Sequence, residues 1–176
     1  MYTEKELQYH LNLLLERYNL PIDVKIKKDN SKLNPKEIGK FDPLIQDKIF
    51  LTEDISIDDS LLLKTLYHEF RHLWQMIKHN DIYLWWNNHE DIYRKYYEWP
   101  IVIEEEDARI FGFSLGEFDL ENLFYKYTVE DMDDIIKTKS YRLESRKIVL
   151  QYPIEVIDLM ENHGFRRRPP QEYILP

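Results

Sequence analysis

The chain of 176 residues contains no cysteine. Disulfide staples and thiolate metal sites are therefore excluded, and any bound metal must be held by histidine and carboxylate. No apolar run approaches the ~20 residues a membrane-spanning helix needs. The opening Met1-Tyr2-Thr3-Glu4-Lys5-Glu6 lacks the apolar stretch of a secretory signal, so the expected location is the cytoplasm. Positive charge is scarce as well. A formal net charge of −9 disfavours a nucleic-acid surface, which needs clustered Lys and Arg. The one basic cluster, Arg166-Arg167-Arg168 followed by Pro169-Pro170, reads as a solvated tail.

What is present suits a globular protein. Apolar residues make up 43% of the chain and aromatics 14%, enough for a core in one domain. The expected division is a single domain over 1–164 and a basic, proline-rich tail over 165–176. The expected fold class is α+β, mostly helical with a small sheet of about three strands.

Local patterns give the element order. Thr3 and Glu6 form a capping box, and Leu7, Leu11, Leu14, Leu15 and Tyr18 make one stripe of the helix that follows. Alternation of Ile22, Val24 and Ile26 with charged residues marks a half-buried strand. Two further strands are expected near 38–41 and 48–52, the latter as an edge strand able to bind substrate by strand addition. Ser56 and Asp59 suggest a second capping box, opening a helix to about residue 78. Leu62, Leu63, Leu66, Tyr67, Phe70, Leu73, Trp74 and Ile77 form its broad apolar arc. Thr128 with Asp131 caps a later helix through 137, 141–151 reads as helical, and another helix is expected over 153–162.

That second helix contains His68-Glu69-Phe70-Arg71-His72, an H-E-x-x-H motif. Residues four apart lie one above the other on a helix, so His68 and His72 can grip one ion. Both fall opposite the apolar arc, with Lys64 and Gln75, so they face either water or a covered cleft. Glu69 can serve as general base beside them. Accident alone supplies such a motif often enough that context must support it.

Context comes from 100–112. Pro100 suits the first turn of a new helix, and Glu104, Glu105, Glu106 and Asp107 follow. Acidic residues are favourable in a first helical turn whatever their function. Glu105 stands out because it shares a face with the small residues Ala108 and Gly112. Those let two helices approach closely, so that this carboxylate can complete a His₂Glu site. Glu104, Glu106, Asp107 and His89 remain alternatives. His163, followed by Gly164, is more simply part of a helix end. His10 and His79 read as surface residues. The aromatic stretch 83–99 is either a packed satellite or a wall beside the site.

The stretch Tyr67-His68-Glu69-Phe70-Arg71-His72, followed by Glu105-x-x-Ala108-x-x-Phe111-Gly112, resembles the ImmA/IrrE-type zinc metallopeptidases of the zincin class. The resemblance spans residues 3–116. It implies a minimal zincin-like domain, with His68, His72 and Glu105 as Zn²⁺ ligands and Glu69 as the base. Two departures stand out: Gly112 replaces a common alanine, and the gap between the motifs is longer. The resemblance further implies a cytoplasmic endopeptidase acting on a protein substrate, such as a DNA-binding regulator of a mobile genetic element. No direct nucleic-acid binding and no membrane partner are expected. Tyr141 or Arg142 could supply a second oxyanion donor. The alternatives are a zincin-fold module that sequesters a protein partner with little hydrolysis, and a structural protein with a coincidental motif. The pattern leaves oligomeric state open.

Overall fold

The computed structural model describes residues 1–88, 103–126 and 128–137. Expectations for His89, Pro100, Tyr141, Arg142, His163, the helices beyond 137 and the basic tail lie outside the described residues. Within them the fold is α+β.

Helix α1 (Glu4–Arg17) begins with the expected capping box: the Thr3 hydroxyl accepts from Glu6 N–H while the Glu6 carboxylate accepts from Thr3 N–H. Its stripe of Leu7, Leu11, Leu14 and Leu15 is buried. Strand β1 (Lys25–Lys28) leads through a single 3₁₀ turn (Asn30–Lys32) to the hairpin of β2 (Gly39–Phe41) and β3 (Lys48–Leu51). The sheet order is β1-β3-β2, with β1 parallel and β2 antiparallel to β3.

This order corrects one expectation. The strand at 48–51 is not an edge. It is bonded on both sides, and β2 forms the edge next to the motif helix. Hairpin formation was local and legible. The parallel pairing of Lys25 with Lys48 is long-range, and nothing in either strand announces it.

Helix α2 (Asp59–Lys78) carries the motif. Its cap is Asp58, whose carboxylate accepts from Leu61 N–H, and not Ser56. Asp59 instead accepts from Tyr2 N–H. Leu62, Leu66, Phe70, Leu73 and Trp74 are almost wholly buried against α1 and the sheet. Each such side chain contributes roughly 1.5–3 kcal/mol of burial, which holds the motif helix rigid. After α3 (Asn80–Asn88), helix α4 (Ile103–Phe113) packs along α2, and α5 (Glu121–Phe124) and α6 (Val129–Lys137) follow. No helix among the described residues is long and apolar enough to cross a membrane.

The α2–α4 contact is very close. Ala108 and Phe111 are fully buried. A Cβ added at Gly112 would stand 2.7 Å from the Lys64 carbonyl oxygen and 2.9 Å from His68 Cβ. Glycine is needed here to let the helices approach. Helix propensity alone predicts that Gly112→Ala gains about 1 kcal/mol. Overpacking against a backbone carbonyl costs about 1–3 kcal/mol, so the variant is expected to be destabilised. The sign read from a urea unfolding curve decides, and a stabilised Gly112→Ala would mean the helices lie further apart.

Candidate metal centre

Helix α2 delivers His68 and His72 from consecutive turns, and α4 delivers Glu105 across from them. His68 Nε2 and His72 Nε2 are 3.1 Å apart. Glu105 Oε1 lies 3.3 Å from His72 Nε2, and Oε2 lies 3.5 Å from His68 Nε2. A tetrahedral ion with bonds of 2.0–2.2 Å separates its ligand atoms by about 3.3 Å. The three donors therefore already have the spacing of one face of such a polyhedron. They form a candidate metal-holding group of His68, His72 and Glu105, all within 4.8 Å of one another. The donor set of two imidazoles and one carboxylate suits zinc and other borderline divalent ions. His68 remains partly open to solvent, with a side chain 23% exposed.

Without an ion, the cluster balances its charge with a proton. Burial pulls His72 down, but the adjacent Glu105 carboxylate outweighs it and holds the ring up at about 10. His68 is pushed down to about 3, first by burial and then by the charge on His72. Two imidazoles at 3.1 Å cannot both be charged, so the pair shares one positive charge facing Glu105. Burial raises Glu105, and the charge and hydrogen bond of His72 reverse this and bring it down to about 2.

Glu69 sits on the sheet side of the histidines and is 8% exposed. Its Oε2 accepts from the backbone N–H of Phe41 on β2 at 2.6 Å. Burial pushes its carboxyl up to about 7, against the opposing pull of His72 and the Phe41 N–H. Gly39 makes this approach possible, because a Cβ there would lie 2.5 Å from Thr65 Cγ2 and 3.2 Å from Glu69 Cγ.

The alternative ligands have other partners. Glu106 is buried, with an oxygen 3.5 Å from Arg109, and burial pushes it up to about 7. Asp107 Oδ2 accepts from Arg71 Nε at 2.8 Å, Gln75 Nε2 at 3.0 Å and the Tyr125 hydroxyl at 2.8 Å. The backbone carbonyl of Glu104 accepts from Gln75, and its carboxylate lies outside the cluster of His68, His72 and Glu105. None of these carboxylates belongs to the three-donor cluster among the described residues. His79 is not a plain surface residue: it pairs with Glu121 at 2.8 Å and stacks on Tyr125. His10 is half-buried, edge-on to Tyr2 and Tyr9.

Sequence reasoning missed the supporting polar network. Arg71, an unspecified position of the motif, is fully buried and bridges Asp107 and Asp119. Gln75, by spacing alone, belongs only to the polar face of the helix. The one signal available was the position of Arg71 and Gln75 between the apolar arc and the histidines, where a covering helix would bury them.

Comparison of the chain with protein-family models, with curated proteins and with solved structures gives no match. The resemblance noted above therefore rests on the two motifs and their geometry. At neutral pH the metal-free cluster holds a proton on His72, which a metal must displace, so zinc binding should release about one proton. Affinity should correspondingly rise roughly tenfold per pH unit up to the value of His72. Calorimetry in buffers of different protonation enthalpy counts the protons. Binding without release would mean His72 is already neutral.

Proposed function

We propose that this chain is a zinc-dependent endopeptidase of the ImmA/IrrE type, cytoplasmic, with a protein substrate. The observation that carries the reading is the convergence of His68, His72 and Glu105 at 3.1–3.5 Å, with Glu69 buried beside them. The chemistry of the donor set fits Zn²⁺. Zinc, when bound, supplies Lewis acidity: it acidifies a water and polarises a carbonyl.

The remaining steps fall to the chain's own groups. Glu69 accepts the proton of the attacking water and returns it to the leaving amine. Its burial suits this, because burial raises the proton affinity of the carboxyl, as a group that takes up the water's proton requires. The edge of β2 orients the substrate. Thr52 N–H donates to the Ile38 carbonyl. Stepping by two along the antiparallel register turns Lys40 toward β3 and turns the backbone groups of Gly39 and Phe41 outward. A substrate strand added to β2 therefore meets the N–H of Phe41, which in its absence is bonded to Glu69. Substrate pairing and release of the base compete for one donor, so docking frees the carboxylate for its water.

The resemblance points to a DNA-binding regulator of a mobile genetic element as the first substrate to try. Glu69→Gln should retain zinc and partner binding while lowering cleavage by about 10²–10⁴-fold. If the biological effect survives in Glu69→Gln, the chain acts by sequestering its partner instead. Elemental analysis of protein purified without added metal completes the test, and sub-stoichiometric zinc would count against both readings.

A further inference from the structure

Gln75 lies on α2, three residues beyond His72, and has no part in the steps above. It is fully buried. Its Nε2 donates to the Glu104 carbonyl at 2.8 Å and to Asp107 Oδ2 at 3.0 Å. A carbonyl and a carboxylate oxygen only accept, so the amide cannot be turned round. Its nitrogen must face α4 and its oxygen must face the histidine. That oxygen lies 2.9 Å from His72 Nδ1. An acceptor at Nδ1 requires the ring proton there. The lone pair of a neutral His72 then sits on Nε2, the atom 3.1 Å from His68 Nε2 and 3.3 Å from Glu105 Oε1.

Asp107 is itself held. The same oxygen that receives Gln75 also receives Arg71 and Tyr125. Asp107 stands two residues from Glu105, so the group that orients Gln75 is fixed to the helix that brings the third donor.

We propose that Gln75 is a positioning residue for the metal centre: locked by Asp107 and the Glu104 carbonyl, it makes His72 present Nε2 to the ion. The proposal rests on the zinc reading above. A glutamine free to flip would accept or donate at Nδ1 equally well and would leave the tautomer unset. Here the hydrogen-bond partners remove that choice.

The test uses zinc itself, with affinity measured by competition against a chromophoric chelator. The His72 ring N–H is followed in long-range ¹⁵N–¹H spectra of the zinc-loaded protein. In the wild type His72 should carry its proton on Nδ1. Gln75→Met matches the volume but offers no strong acceptor, and should weaken zinc about ten- to a hundredfold. Gln75→Glu places an oxygen against the Glu104 carbonyl and Asp107 where the amide N–H stood, so it keeps its acceptor at His72 Nδ1 as the protonated acid; in that form it should retain the Nδ1–H signal, with zinc affinity above that of Gln75→Met. A role in packing alone would instead lower affinity in both variants in step with their melting temperatures. Equal zinc affinity in all three proteins, or equal loss in both variants, overturns the proposal. So does a wild-type proton on Nε2, which decides the matter even if Gln75→Met does not fold. A wild type that binds no zinc removes the functional reading as well, whereas tight binding by both wild type and Gln75→Met removes only this inference.

Discussion

The buried ion pair between Arg71 and Asp107 is the constraint on which the geometry of the site depends. Arg71 is 0% exposed on the motif helix, and Asp107 is 1% exposed on the ligand helix. Burying two charges is costly unless nearly every hydrogen-bonding group is used. Here Arg71 Nε meets Asp107, Nη2 meets Asp119, and the guanidinium lies 3.6 Å over the ring of Trp74. Of the three guanidinium nitrogens, Nη1 alone has no hydrogen-bond partner among the described residues, and the aromatic face supplies its environment. Asp107 compensates on its side with three donors on one oxygen. Such a pair fixes register as well as attraction, because sliding α4 by a turn would strand both charges, at about 3–5 kcal/mol for a broken buried pair. Register is what places Glu105 opposite the histidines.

A second constraint works against this attraction. His68, His72 and Glu105 are polar groups drawn into a largely buried space, and Glu69 and Glu106 add carboxyls nearby. Glu69 and Glu106 are both pushed up to about 7 by burial, so the surroundings disfavour negative charge there. Only Glu105 is held ionised, by the charge on His72. A proton in the cluster and a divalent ion would be alternatives for one electrostatic role, and the donors stand at ion-binding spacing. Close packing at Gly112 and Ala108 makes this preorganisation possible, since both remove side-chain bulk from the face that carries Glu105.

Whatever depended on local sequence was legible. The capping box at Thr3, the leucine stripe of α1, the hairpin strands and the apolar arc of α2 all follow from short-range spacing. Glu105 was picked out from its acidic neighbours because Ala108 and Gly112 share its face, and packing at that face is what the structure displays. What could not be read depended on contacts between distant segments. The parallel β1–β3 pairing moved the sheet edge from β3 to β2. The start of α2 lies at Asp58 and not Ser56, and Asp59 is taken by Tyr2 N–H from the chain's N-terminus. Asp107 resembled its acidic neighbours until α2 supplied Arg71 and Gln75. His79 looked exposed until Glu121 and Tyr125 came to it from 42 and 46 residues further on. In each case the residue's type was plain and its partner was not.

The corrected edge strand changes the chemistry of the proposed reaction. With β3 at the edge, substrate binding and base catalysis would occupy separate elements with no necessary link. With β2 there, the strand that would receive a substrate is also the strand whose Phe41 N–H holds Glu69. Gly39 brings the two so close that neither can move far without the other. The Glu69 carboxyl has one backbone donor among the described residues, and it would lose that donor if a new strand claimed it. Under the proposed function, coupling of this kind would favour extended peptides over compact surfaces as substrates, because only a strand can compete for an outward-facing backbone N–H in register. The Phe41 N–H also gives the buried Glu69 carboxyl a hydrogen-bond partner inside the fold.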